Sequence, residues 1–161
     1  MMVRLTSADL YGIEAVPVEV EVDVQPGMPA YVTVGLPDAA VRESRERVRG
    51  AILNSGYQYP HEQVTVNLAP ADIRKEGAQL DLPIALCLLK ATGHIPSDSF
   101  KGRALIVGEL ALNGALRPIH GVLSMALLAQ SKGMALLCPS ENGEEAAVVE
   151  GCRVFPLASL S

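Results

Sequence analysis

"RKEGAQLDLPIALCLL", residues 74–89, decides the fold because it joins two stretches of opposite character. Two basic residues, an acid and a glycine run into an apolar segment that reads as a buried helix. Just before it lies "QVTVNLA", residues 63–69, where Val64, Val66 and Leu68 share one face of a short strand. Asp81 is expected to cap the helix, Pro83 falls in its first turn, and Gly93 marks its end. A charged, glycine-bearing loop feeding a helix N-terminus is a place to hold an anion or to present a nucleophile.

Upstream, "AVPVEVEVDV", residues 15–24, alternates strictly, with Val16, Val18, Val20, Val22 and Val24 on one side and Glu19, Glu21 and Asp23 on the other. That is a half-buried strand with a solvated face. "QPGMP" makes a turn, and "AYVTVGL" reads as a second strand antiparallel to the first. "PDAAVRESRERVRGAILNSG" predicts a helix capped by Asp38, with a stripe of Val41, Val48, Ala51, Ile52 and Ser55. Acid comes early and arginine late, as the helix dipole prefers, and Gly56 sits at the left-handed terminal position.

Downstream, "RALIVGELALNGALRPI" contains a strand and then a hairpin, with Asn113-Gly114 as a two-residue type I′ turn. "HGVLSMALLAQSKG" predicts an apolar helix ending at Gly133, "MALLCP" a buried strand, "SENGEEAAVVEG" a short helix capped by Ser140 or Asn142, and "CRVFPL" a last strand. Early strands and hairpins followed by alternating strand and helix define an α+β fold, a two-layer α/β domain with a mixed sheet.

The 161 residues suit one domain, and 49% hydrophobic content against 19% charged supports a sizeable core. Aromatics are 4% and Trp is absent, so that core is aliphatic. A net charge of −5 argues against a domain that coats nucleic acid by itself, while leaving room for a local basic patch. Cys87, Cys138 and Cys152 show neither disulfide nor zinc spacing, and no apolar run reaches the length of a membrane span, so a cytoplasmic protein with no membrane partner is expected.

Arg42, Arg45 and Arg49 share one helical face and are candidate contacts for DNA phosphates or an acidic partner; the plainer alternative is a solvated face knitted by Glu43–Arg47 and Glu46–Arg49 pairs. Arg74 and Lys75 are further phosphate-contact candidates, or simply solvated loop charges. No metal site is expected: alternating acids on a strand mark an outer face, and His61, His94 and His120 lack ligand spacing.

"VNLAPADIRKEGAQLDLPIAL" and "VGELALNGALRPIHGVLSMALLAQSKGMALLCPSEN" resemble the peptidase domain of Lon, where K-D-G-P-S-A-G presents the catalytic serine and G-G-L-K-E-K the catalytic lysine. "GLPDAAVRESRERVRGAI" and "NLAPADIRKEG" more closely resemble the N-terminal domain of the magnesium-chelatase-like AAA+ family of the ComM and YifB type. The resemblance covers nearly the whole chain and implies the fold shared by Lon, RadA and the GHMP kinases. It also implies that these residues come from a longer bacterial protein with a downstream AAA+ module that uses ATP and Mg, assembles as a hexamer and drives DNA branch migration in recombination and competence.

Laid on the Lon pattern, Lys75, Glu76 and Gly77 take the K-D-G places, the serine place falls on Gln79, and the lysine place falls on Leu123. A carboxamide has no nucleophilic hydroxyl, and leucine cannot accept a proton. Ser124, next to Leu123, has no base at a useful spacing. Gly77, Asp81 and Gly121 are then structural positions of the two loops, and His120 stands on a glycine place of the pattern. No GxxxxGK[ST] phosphate loop occurs, so no cofactor is expected in this segment. The expected function is a non-catalytic accessory domain of an AAA+ motor. The alternatives are a Lon-like serine peptidase and a metal-chelatase-type ATPase subunit.

Overall fold

The computed structural model describes residues 1–100 and 103–161. Its main sheet has seven strands: β1 (Met2–Tyr11), β2 (Glu14–Gln25), β3 (Ala30–Val34), β4 (Gln63–Ala69), β5 (Ala104–Ile106), β8 (Ala135–Pro139) and β9 (Val154–Leu157), in the order β3-β4-β2-β1-β5-β8-β9. The antiparallel pairs are β1–β2 and β2–β4, and the remaining neighbours run parallel, so the sheet is mixed. β6 (Glu109–Leu110) and β7 (Leu116–Arg117) form a separate small hairpin. The helices are α1 (Ala39–Asn54), α2 (Asp81–Ala91), α3 (Val122–Ser131) and α4 (Gly143–Ala146).

The alternation in β2 builds the core. Val18, Val20, Val22 and Val24 are buried beneath α1 and α2, together with Val64, Val66 and Leu68 of β4. The opposite, outer face is polar and cross-linked: Arg4 and Asn67 both donate to Glu21, and Thr6 donates to Glu19. At the β1-β5-β8 end, α3 and α4 cover that second face over Ala8, Leu105, Leu136 and Cys138. α2 is buried at every position from Asp81 to Lys90, as its unbroken apolar run predicts.

Several expectations need correction. β1 went unread, although Val3, Leu5 and Ser7 alternate inward and the chain turns back at Gly12. β3 lies at the sheet edge and pairs in parallel with β4; it is not antiparallel to β2. The Asn113-Gly114 hairpin forms without a type I′ turn. The Gly114 amide donates to Ala111 O, Gly114 alone has positive φ (91°), and Asn113 does not. That is the longer loop in which a glycine follows a type I turn. In α1, Asp38 caps as expected, accepting from Val41 N at 2.8 Å, and Gly56 takes φ 87°. However, the helix has no acid in its first turn and no base in its last.

Candidate functional site

The loop after β4 is locked to the chain ahead of α1. Lys75 N donates to Leu36 O and Asp38 N donates to Lys75 O, both at 2.9 Å. The Lys75 side chain is 0% exposed, and its ammonium donates to Gly35 O at 2.8 Å and to Pro70 O. Burial lowers the Lys75 pKa, opposed by the charges of Asp72 and Asp9. Lys75 is therefore withdrawn from the surface and is not free to meet a phosphate. Arg74 stays solvated, 3.8 Å from the exposed Glu76 carboxylate.

Gln79 lies in a cavity of about 380 Å3 lined by Asp9, Asp38, Glu76, Gly77, Glu109, His120 and Met125, among others. Its amide donates to Asp9 Oδ1 at 3.0 Å and to Glu76 O at 2.7 Å. Asp9 also accepts from Leu10 N and Glu76 N, each at 2.8 Å. Burial pushes the Asp9 pKa up, with those two backbone amides pulling it back. Asp9, which carries no sequence signal of its own, is with Ser7 one of two buried polar residues on the inward face of β1. Both carboxylate oxygens of Asp9 are thus engaged in tying β1 to the loop, and Gln79 beside them is a carboxamide.

Leu123 is 41% exposed and, among the described residues, is not one that lines this cavity. Gly121 starts α3 at φ 81°, where an added Cβ would lie 2.4 Å from Leu10 Cδ1. Ser124 Oγ donates to Ile13 O at 2.7 Å, away from Gln79. Asn142 holds the loop before α3 instead of capping α4: its amide accepts from Ile119 N at 2.9 Å and donates to Ile119 O at 3.1 Å.

Asp81 does not cap α2 through its side chain. It is buried and takes a two-pronged contact from Arg47, Nε to Oδ2 at 2.7 Å and Nη2 to Oδ1 at 3.1 Å, while Leu110 N donates to Oδ2 at 3.1 Å. Burial raises its pKa to about 6 against the pull of Arg47. One carboxylate thus joins α1, α2 and β6. Arg47 does lie 3.7 Å from Glu43, as the solvated-face alternative has it, but its main role is structural, and Glu46 pairs with Arg45 rather than Arg49.

The arginine stripe of α1 is divided. Arg45 and Arg49 line a cleft of about 290 Å3 with Tyr31, Tyr59, Pro60, His61, Glu46 and Glu62, whereas Arg42 is exposed outside it. The Arg45 guanidinium sits over the Tyr31 ring, 5.7 Å from its centroid, and 3.7 Å from Glu46. Among the described residues, no group of three or more His, Cys, Asp and Glu side chains is arranged to hold a metal, and no helix is long and apolar enough to cross a membrane.

This mixed α+β domain, with a loop–helix junction tied by hydrogen-bonded polar groups, matches a known class. The family described as subunit ChlI of Mg-chelatase matches residues 20–142, and the chain belongs to this magnesium-chelatase-like family. It is 45% identical over 145 residues to the uncharacterized protein YifB of Escherichia coli, covering 89% of this chain and 28% of that protein. It is 42% identical over 138 residues to the competence protein ComM of Haemophilus influenzae, covering 86% and 27%. It is also 29% identical over 85 residues to a peroxisomal Lon protease homolog of Caenorhabditis elegans, covering 52% and 11%. The chain spans under a third of the length of the YifB and ComM relatives.

Proposed function

We propose that this chain is the non-catalytic, Lon-like domain of a magnesium-chelatase-like AAA+ motor that remodels branched DNA in recombination and natural transformation. The full-length protein binds ATP and Mg through a separate ATPase module, works as a hexamer in the cytoplasm and uses this domain to engage substrate or support assembly. The observation that carries the reading is the pairing of Gln79 with Asp9 and Glu76 at the position where a peptidase of this pattern needs its serine. The similarity to the competence protein ComM supports the process assigned.

Two measurements test it. Purified chain is expected to show no turnover of a fluorogenic peptide or of casein. Turnover that survives repurification and is abolished by Ser124→Ala would overturn the non-catalytic assignment. The full-length protein is expected to migrate a synthetic four-way DNA junction in an ATP-dependent manner, and inert junctions at saturating ATP and protein would overturn the motor assignment.

A further inference from the structure

We propose that the cleft between α1 and the segment 57–62 is a one-nucleotide site for single-stranded DNA, with the phosphate on Arg45 and Arg49 and the base against Tyr59 and His61. This rests on the DNA-motor reading above for the choice of nucleic acid. The geometry supplies the rest. Arg45 and Arg49 are exposed, one helical turn apart, and open into the same cleft. Arginine forks match phosphate oxygens, and a guanidinium braced on an aromatic ring loses less freedom on binding. Arg45 has that brace in Tyr31, at 5.7 Å from the ring centroid.

Tyr59 is half-buried and lines the same cleft as Arg45 and Arg49, so both guanidiniums share the cleft with the aromatic wall. His61 is exposed on the same wall, and the adjoining Pro60, which also lines the cleft, is buried. The cleft volume, about 290 Å3, is at the bottom of the roughly 300–1,000 Å3 range of small-molecule sites and suits one nucleotide. Glu46 and Glu62 stand on the rim and oppose the arginines. With a chain charge of −5 they keep the single site weak, and a ring of such sites would raise affinity through tethering. The site therefore grips one backbone position and one base face and reads no sequence, which is how stacking platforms hold single strands.

The test is fluorescence anisotropy of this chain with a labelled short oligothymidylate, an abasic oligomer of the same length and an acidic peptide, across a salt series. Arg45→Glu with Arg49→Glu is expected to weaken oligothymidylate binding at least about tenfold and to reduce the log–log salt slope by about 0.7, the contribution of the one phosphate contact removed. His61→Ala, at an exposed position that should leave the fold intact, is expected to weaken oligothymidylate binding severalfold and to leave the abasic oligomer unchanged. Unaltered affinity and slope in the charge-reversed chain would overturn the proposal, as would equal or tighter binding of the acidic peptide. The two readings separate cleanly. Junction migration by the full-length protein, alongside cleft variants that bind as wild type does, overturns the cleft alone. Oligothymidylate binding by the chain, with no junction migration, overturns the motor reading and leaves the cleft standing.

Discussion

Two basic regions of this molecule look alike in sequence and behave oppositely in structure. Arg74-Lys75 and the Arg42–Arg49 stripe both place cations beside a helix. In the first, Lys75 is buried against the carbonyls of Gly35 and Pro70, and Arg74 is left beside Glu76. In the second, Arg47 alone turns inward to Asp81, while Arg45 and Arg49 remain exposed in an aromatic-walled cleft. The difference teaches that a cation's role follows its partners. A lysine whose donors are met by backbone carbonyls holds a loop, whereas an arginine resting on a tyrosine ring, with only an exposed carboxylate 3.7 Å away, stays open to a ligand.

The largest expected effect is at the boundary between the two regions. Arg47→Met leaves the buried Asp81 carboxylate without its cation, so unfolding free energy should drop by about 3–5 kcal/mol in urea titration. A loss below about 1 kcal/mol would mean that the pair does not join α1 to α2 in the way described.

Next is pH. The folded-state pKa of Asp81, about 6, lies above its ordinary value of 3.8. Between those values the folded protein holds a proton that the unfolded chain has released, so stability rises as pH falls through that window. Asp9 is shifted in the same direction. Unfolding free energy measured from about pH 7.5 to 5 should climb by about 1.4 kcal/mol from Asp81, and Asp81→Asn should flatten the trend. A wild-type curve that falls over that range contradicts burial as the dominant influence on Asp81.

A smaller loss belongs to the Gln79 loop. Gly77 has φ 86°, and a Cβ there would lie 2.4 Å from Gln79 Oε1, displacing the amide that holds Asp9. Gly77→Val should cost about 1–3 kcal/mol. An unchanged melting temperature would show that the loop tolerates ordinary backbone conformations. The smallest effect is at Arg74. Arg74→Gln should alter stability by less than about 0.5 kcal/mol, because its contact with Glu76 is long and exposed. A larger loss in thermal melts would place Arg74 among the structural cations beside Lys75.

Much of this was legible in the sequence because the informative patterns are local. The valine alternation of β2, the Asp38 cap and the apolar run of α2 each state their own structure. The positions of Gln79 and Leu123 follow from a resemblance of spacing, and the structure places Gln79 at a loop–helix junction. What stayed hidden depends on distance along the chain. Asp9 reaches Gln79 across 70 positions, and Arg47 reaches Asp81 across 34. A cation pattern cannot say which of its members will find a buried acid. The cleft at Arg45 was equally hidden, since Tyr31, Arg45 and Tyr59 come from three separate segments.

The most direct test of the central claim, that the loop is structural and the α1 cleft binds, is residue-resolved NMR of this chain titrated with short oligothymidylate. Amide shift changes are expected at Tyr31, Arg45, Arg49, Tyr59 and His61, with Asp9, Lys75, Gln79 and His120 unmoved. Changes centred on Gln79 and His120, with the Arg45–Arg49 cleft silent, would contradict that claim.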